Sequence, residues 1–315
     1  MQFAVVLAFF ALMLGRDITL YQPEGFGPIY HSIYQLLEGE NLIIYIVYIV
    51  LIVFEGLLLQ LIVSNYNLVP RDNYTILLIW LILTFSNPTL SSINPVLIAA
   101  IISTWALFRL LSIGDKENTL PNLYTAGFLF SFASLIYGNM LWFFGFLIIS
   151  LLVLSVFKAH EFIVSIIAFA TPYLFLFVYG FVFEQEYIFW TQFHFNIGNW
   201  SFFENGPQLW ISIGTTLLII AFSAFAVPKV MLQLFSKLIH VRKYTSVIFT
   251  MLLVSLAMQF LSGPWWFSHP ILIFIPLSIL ISIFLSEQKN TLYYDIILLS
   301  IIALEIAQLY YLRYA

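Results

Sequence analysis

Charge is what this chain has least of. Asp, Glu, Lys and Arg make up 8% of its 315 residues, where a water-soluble domain carries about 25%. A chain so composed cannot cover its own surface toward water, which excludes a soluble globular protein. Cysteine is absent, so there is no disulfide framework, no thiol nucleophile and no thiolate metal site. Cations are few: 11 Lys and Arg against 15 Asp and Glu, net −4, with no basic domain of the kind that binds nucleic acid. P-loop, G-x-G-x-x-G after a strand, H-E-x-x-H and G-x-S-x-G are all missing, which removes most support for ATP hydrolysis and zinc proteolysis. No internal repeat is evident, which weakens inverted-repeat transporter folds.

Apolar residues fill the space left by charge, at 62% with a mean hydropathy of +1.01. The runs are longer than the roughly ten-residue alternating strands of a membrane barrel. Aromatics at 19% exceed what packing needs and point to interfacial belts. The expectation is an all-α integral membrane protein, one polytopic domain over residues 1–315. Since about 20 apolar residues cross a bilayer core, eleven spans are expected, at about 2–15, 42–64, 73–89, 93–112, 121–137, 139–157, 161–183, 208–228, 244–262, 268–286 and 291–311. The first lacks a small-x-small cleavage site before Arg16, so a retained helix is expected rather than a signal peptide. Pro88 and Pro95 bracket a turn, 86–95, that can dip into the bilayer, and Tyr137–Gly138–Asn139 makes a hairpin of spans five and six.

Basic residues orient the spans. With the N-terminus inside, Arg71, Arg109, Lys116, Lys158, Lys229, Lys237, Arg242, Lys243 and Lys289 fall in inside loops, and only Arg16 and Arg313 outside. The chain is therefore expected to have its N-terminus in and its C-terminus out, as a multi-pass protein of a bacterial inner membrane with lipids around it. Two outer loops are then long, 16–41 and 184–207. On the inside, residues 229–243 place Lys229, Gln233, Ser236, Lys237, His240 and Lys243 at helical spacing, which predicts a basic surface helix drawn to anionic lipid.

Few places remain where chemistry can sit. Asp17 lies at the mouth of the first span, where water still reaches a lowered dielectric. It suits a base that takes a proton from a hydroxyl nucleophile, or a ligand for a divalent metal, the one cofactor this loop suggests. It can equally be an ordinary interfacial acid beside Arg16. Pro28–Leu37 predicts an amphipathic interfacial helix with Ile29, Ile33, Leu36 and Leu37 on one face and His31, Ser32 and Gln35 on the other. His31 is a second catalytic candidate, against the plainer reading of a solvated loop histidine. The second outer loop sets Trp190, His194, Trp200 and Glu204 among many aromatics, an arrangement that can stack on a sugar, line a lipid cleft or simply cap the interface. Glu55 and Glu305 fall at membrane depth, where an acid is costly and faces the bundle interior. With no Lys or Arg placed to pair with it, Glu55 is expected to be neutral and bonded to a Tyr, a Ser or a backbone carbonyl.

The middle third of the chain resembles an uncharacterised family of polytopic inner-membrane proteins of Bacteroidota. The resemblance rests on Asn94, Arg109–Ser112, Ala126 to Tyr137 and Glu161 to Pro172. A more distant resemblance, carried by Asp17 and by Pro28–Leu37, is to the C-type membrane glycosyltransferases. It implies their fold, a polyprenyl-phosphate sugar as donor, Asp17 as base and the aromatic loop as substrate holder. The chain departs from that family in two ways: Arg16 and Ile18 flank Asp17 where a paired acid is common, and the turn 86–95 holds no acid. Those departures favour a second reading, a non-catalytic subunit bound to other proteins of an envelope assembly. A third is a proton-coupled transporter or lipid flippase working through Glu55 and Glu305.

Overall fold

The computed structural model describes residues 19–20, 28–37, 39, 41–70, 74–85, 92–115, 119–156, 158–184, 207–262 and 270–288. They form ten α-helices, numbered here in chain order: α1 (Pro28–Leu37), α2 (Asn41–Asn65), α3 (Thr75–Phe85), α4 (Pro95–Leu111), α5 (Thr119–Ile136), α6 (Phe143–Leu154), α7 (Ala159–Val182), α8 (Pro207–Gln233), α9 (Ile239–Ser262) and α10 (Pro270–Ser286). Two two-residue strands, β1 (Thr19–Leu20) and β2 (Ser92–Ile93), complete the described elements. Among the described residues, six helices are long and apolar enough to cross a membrane, and three shorter apolar ones lie at Thr75–Phe85, Gly138–Leu154 and Pro270–Ser286. The expected spans at 2–15 and 291–311 lie outside the described residues.

Local chemistry sets the helix ends. Asn94 caps α4, its side chain accepting the Leu97 N–H at 2.8 Å, and Pro95 follows at the first helical position, where its missing N–H is not needed. Ser155, at φ 60°, ends α6 in the left-handed region, and Lys243 Nζ donates to the terminal Leu154 carbonyl at 2.9 Å, a cation at the negative end of the helix. The predicted hairpin at 137–139 is a 3-10 turn, Gly138–Trp142, between α5 and α6.

Packing runs α2 against α3 and α4, α4 against α5, α5 against α7, and α9 against α6. The centre is α10, which meets α2, α3, α4, α8 and α9. Almost every side chain it carries is buried, as befits a helix that is apolar all round. Its Ser278 and Ser282 hydroxyls are turned back to Ile275 and Ile279 carbonyls at 2.8 Å each, which pairs both buried hydroxyls within the helix.

One end of the bundle is defined by contacts between helix ends. Tyr66, just past α2, donates its hydroxyl to the Phe108 carbonyl at 2.7 Å and packs its ring on Tyr244 at 4.9 Å. Lys237 pairs with Glu287, and Lys243 reaches α6. Arg109, Lys158, Lys229, Lys237, Arg242 and Lys243 all sit toward this end, so the sequence asymmetry in basic residues is a physical face.

One expectation is corrected. Residues 229–243 are not one surface helix: α8 runs through Pro228 to Gln233, a 3-10 turn covers Leu234–Ser236, and α9 starts at Ile239. The helical spacing of the polar residues therefore runs across a turn between two helices. Of the expected third span, 73–89, the described part is α3, 11 residues or about 16 Å of helix, and 86–89 lie outside the described residues. On α1, Ile29 and Leu37 of the predicted apolar face pack against the core beside the fully buried Tyr30, while Leu36 stands 82% exposed.

Candidate functional site

At the end opposite the basic face, the first loop is tied to the turn before α4. Thr19 and Leu20 pair in parallel with Ser92 and Ile93. Tyr30 of α1, fully buried, donates its hydroxyl to the Ile93 carbonyl at 2.9 Å. Irregular backbone is tolerated at membrane depth where protein covers it and partners exist; here β2 is buried and the strand pair supplies the partners. Asp17 is two residues before β1 and lies outside the described residues. His31 is within α1, but its side chain is outside the described set. Trp190, His194, Trp200, Glu204 and Glu305 also lie outside it. The two substrate and catalytic groupings read from sequence are therefore represented by their neighbours alone.

Glu55 is described in full. It lies in α2, about two residues past the centre of the span Leu42–Asn65, and is wholly buried. Thr104 of α4 donates its hydroxyl to Glu55 Oε1 at 2.6 Å, and the other oxygen, Oε2, is buried with no hydrogen-bond partner. The partner is thus a threonine, not the tyrosine, serine or carbonyl expected. Alongside, Trp80 Nε1 of α3 donates to the Ile52 carbonyl at 3.1 Å. A Cβ on Gly56 would come within 3.0 Å of Leu77 and 3.1 Å of Trp80, so the glycine next to the acid lets α3 approach closely. In the sequence Thr104 stands beside Ser103 at the middle of α4, and only the packing of α4 on α2 selects the threonine as the partner.

A second buried acid, Glu161, was not singled out as a site. Its Oε2 accepts the Lys158 N–H at 2.6 Å at the start of α7, where the helix dipole favours a negative charge, and the exposed His160 lies 3.7 Å from Oε1. That arrangement caps a helix. Among the described residues, no three His, Asp or Glu side chains come together to hold a metal ion.

An apolar groove of about 380 Å³ lies between α8, α9 and α10, lined by residues that include Ile219, Ala224, Pro228, Leu256, Gln259 and Ile273. It extends from Pro228, beside Lys229, toward the end away from the basic face, where Gln259 and Pro270 lie at the far ends of α9 and α10. Ser223, also in its wall, turns its hydroxyl to the Ile220 carbonyl at 2.9 Å, and apart from Gln259 and an Ala224 carbonyl that Pro228 leaves without its helical donor the lining is aliphatic and aromatic. The groove therefore offers apolar walls to a hydrocarbon chain and little to a polar solute. Compared with protein-family models, curated proteins and solved structures, the chain matches none of them.

Proposed function

We propose that the chain is a glycosyltransferase-like protein of a bacterial inner membrane, taking a lipid-linked sugar at the membrane's outer face. The observation that carries this reading is the fastening of the first loop: β1 on β2 and Tyr30 on Ile93 hold the chain just past Asp17 at the end opposite the basic residues. A base must be held within hydrogen-bond reach of the proton it removes, and a loop free to wander could not do so. The apolar groove supports the same reading, since it reaches along α9 and α10 to Gln259 and Pro270 and suits the tail of a polyprenyl-phosphate donor. In this reading the Asp17 carboxylate takes the acceptor hydroxyl's proton. The acceptor oxygen then bonds to the sugar's anomeric carbon as the bond from that carbon to the phosphate oxygen breaks. The aromatic loop with Trp190 and Trp200 holds the sugar, and a divalent metal at Asp17 would steady the leaving phosphate.

The test is transfer by the purified protein in nanodiscs, with labelled polyprenyl-phosphate hexoses and membrane extract as acceptor. Asp17→Asn keeps size and polarity but cannot take the proton, so turnover should fall about 10²–10⁴-fold with the fold intact. Unchanged turnover in Asp17→Asn, or none in the wild type with any such donor, would remove the reading.

A further inference from the structure

The Glu55–Thr104 contact has no part in that reaction. Hard cations take about six to eight oxygen ligands, and here one carboxyl group and one hydroxyl meet, so the site suits a proton and not a metal ion. The surroundings offer no counter-charge. Among the described residues the elements packed on α2 are α3, α4, α10, β1 and β2. Four of these carry no ionisable side chain, and α4 has only Arg109, five residues, or about 7.5 Å of helix, beyond Thr104 toward the basic end. On α2 itself the other titratable side chains are Tyr45 and Tyr48. An acid kept as structural glue has both oxygens satisfied, since buried polar atoms are nearly always paired. Here Thr104 serves one oxygen and the second is left over.

The helix that carries it is peripheral. Only 33% of the α2 span is buried, and Leu42, Ile46, Val50, Phe54, Leu57 and Leu61 are exposed along its outer side. Glu55 is on the inner side, joined to α4 by the Thr104 hydroxyl, with Trp80 of α3 bonded to the Ile52 carbonyl one turn before it. Separating α2 from α4 breaks one side-chain hydrogen bond at this depth and uncovers both carboxyl oxygens.

We propose that Glu55 is an exchangeable proton-binding site, and that α2 moves against α4 about the Glu55–Thr104 bond as the proton enters and leaves. The chain then carries a proton-linked change of conformation that is separate from any transfer chemistry at Asp17.

Infrared difference spectroscopy of the protein in nanodiscs, wild type against Glu55→Gln, tests this. The wild type should show the carbonyl stretch of a protonated carboxyl group that the variant lacks, and that band should shift within minutes of transfer to D₂O. In Thr104→Val the band should move to higher frequency, having lost its hydrogen-bond donor, and exchange several-fold faster; Thr104→Ser should restore both. The Thr104 pair identifies the band even if Glu55→Gln fails to fold. A missing band means an ionised Glu55, and a band that stays unshifted after a day means a locked structural acid. Either result overturns the proposal, and neither bears on Asp17.

Discussion

At the scale of single residues, Glu55 shows how a membrane interior decides what a side chain can be. Its neighbours are apolar, and its one bond is short and buried. Glu55→Gln keeps a carbonyl to accept from Thr104 and should leave stability nearly unchanged. Glu55→Leu strands the Thr104 hydroxyl in a dry site, at a cost of about 1–3 kcal/mol. Unfolding of purified variants in mixed detergent micelles measures the difference, and a Leu variant as stable as the Gln variant would mean that Thr104 finds another acceptor. The acid itself was legible in the sequence because it interrupts a long apolar run. Its partner was not singled out, since threonines are common in membrane helices and nothing local marks which one faces an acid two helices away.

Among elements, the α5–α7 interface shows what joins helices when lipid is as apolar as their side chains. Close approach of small residues and a few hydrogen bonds must replace the hydrophobic effect. Gly127 faces Ala168, where a Cβ would come within 2.9 Å of the alanine methyl. Nearby, Ser131 donates to the Phe169 carbonyl at 2.5 Å and Ser134 shares a hydrogen bond with the Tyr173 hydroxyl at 2.6 Å. Interhelical bonds of this kind average about 0.6 kcal/mol, whereas overpacking costs about 1–3 kcal/mol or more. Gly127→Leu should therefore destabilise more than Ser131→Ala in the same unfolding assay; the reverse order would show that the hydroxyl, and not the close approach, holds the pair.

The same contrast explains what could be read of the elements from sequence. Apolar runs located α2, α4, α5, α7 and α9 to within a few residues, because length and hydropathy are local properties. The ends of α8 and α9 were misread because helical spacing cannot tell one helix from two that meet at a turn. Pro228 lies inside α8, and the helix breaks instead at Leu234–Ser236, where the Ser236 hydroxyl donates to the Gln233 carbonyl at 2.8 Å.

For the whole molecule, the central place of α10 could not be read at all. A helix apolar on every side has no face to aim, so its contacts with α2, α3 and α4, made across most of the chain, come from shape alone. Charge behaves differently, because one rule about basic loops acts on every turn at once. The contacts of Tyr66 with Phe108 and Tyr244, of Lys243 with Leu154 and of Lys237 with Glu287 gather the cation-bearing ends on one face. The α5–α6 turn, with Trp142 half exposed, is at the other. Since the chain has no cysteine, single cysteines report without background. Ser236→Cys, exposed in the α8–α9 turn, should react with a membrane-impermeant maleimide only after the membrane is opened, and Trp142→Cys should react in intact cells. The opposite pattern would reverse the orientation and move the first loop, with Asp17, to the inside, where the proposed transfer from an outward lipid-linked sugar cannot occur. Labelling of both from one side would contradict the packing of the helix ends, since α6 alone separates Trp142 from the Leu154 carbonyl that Lys243 holds.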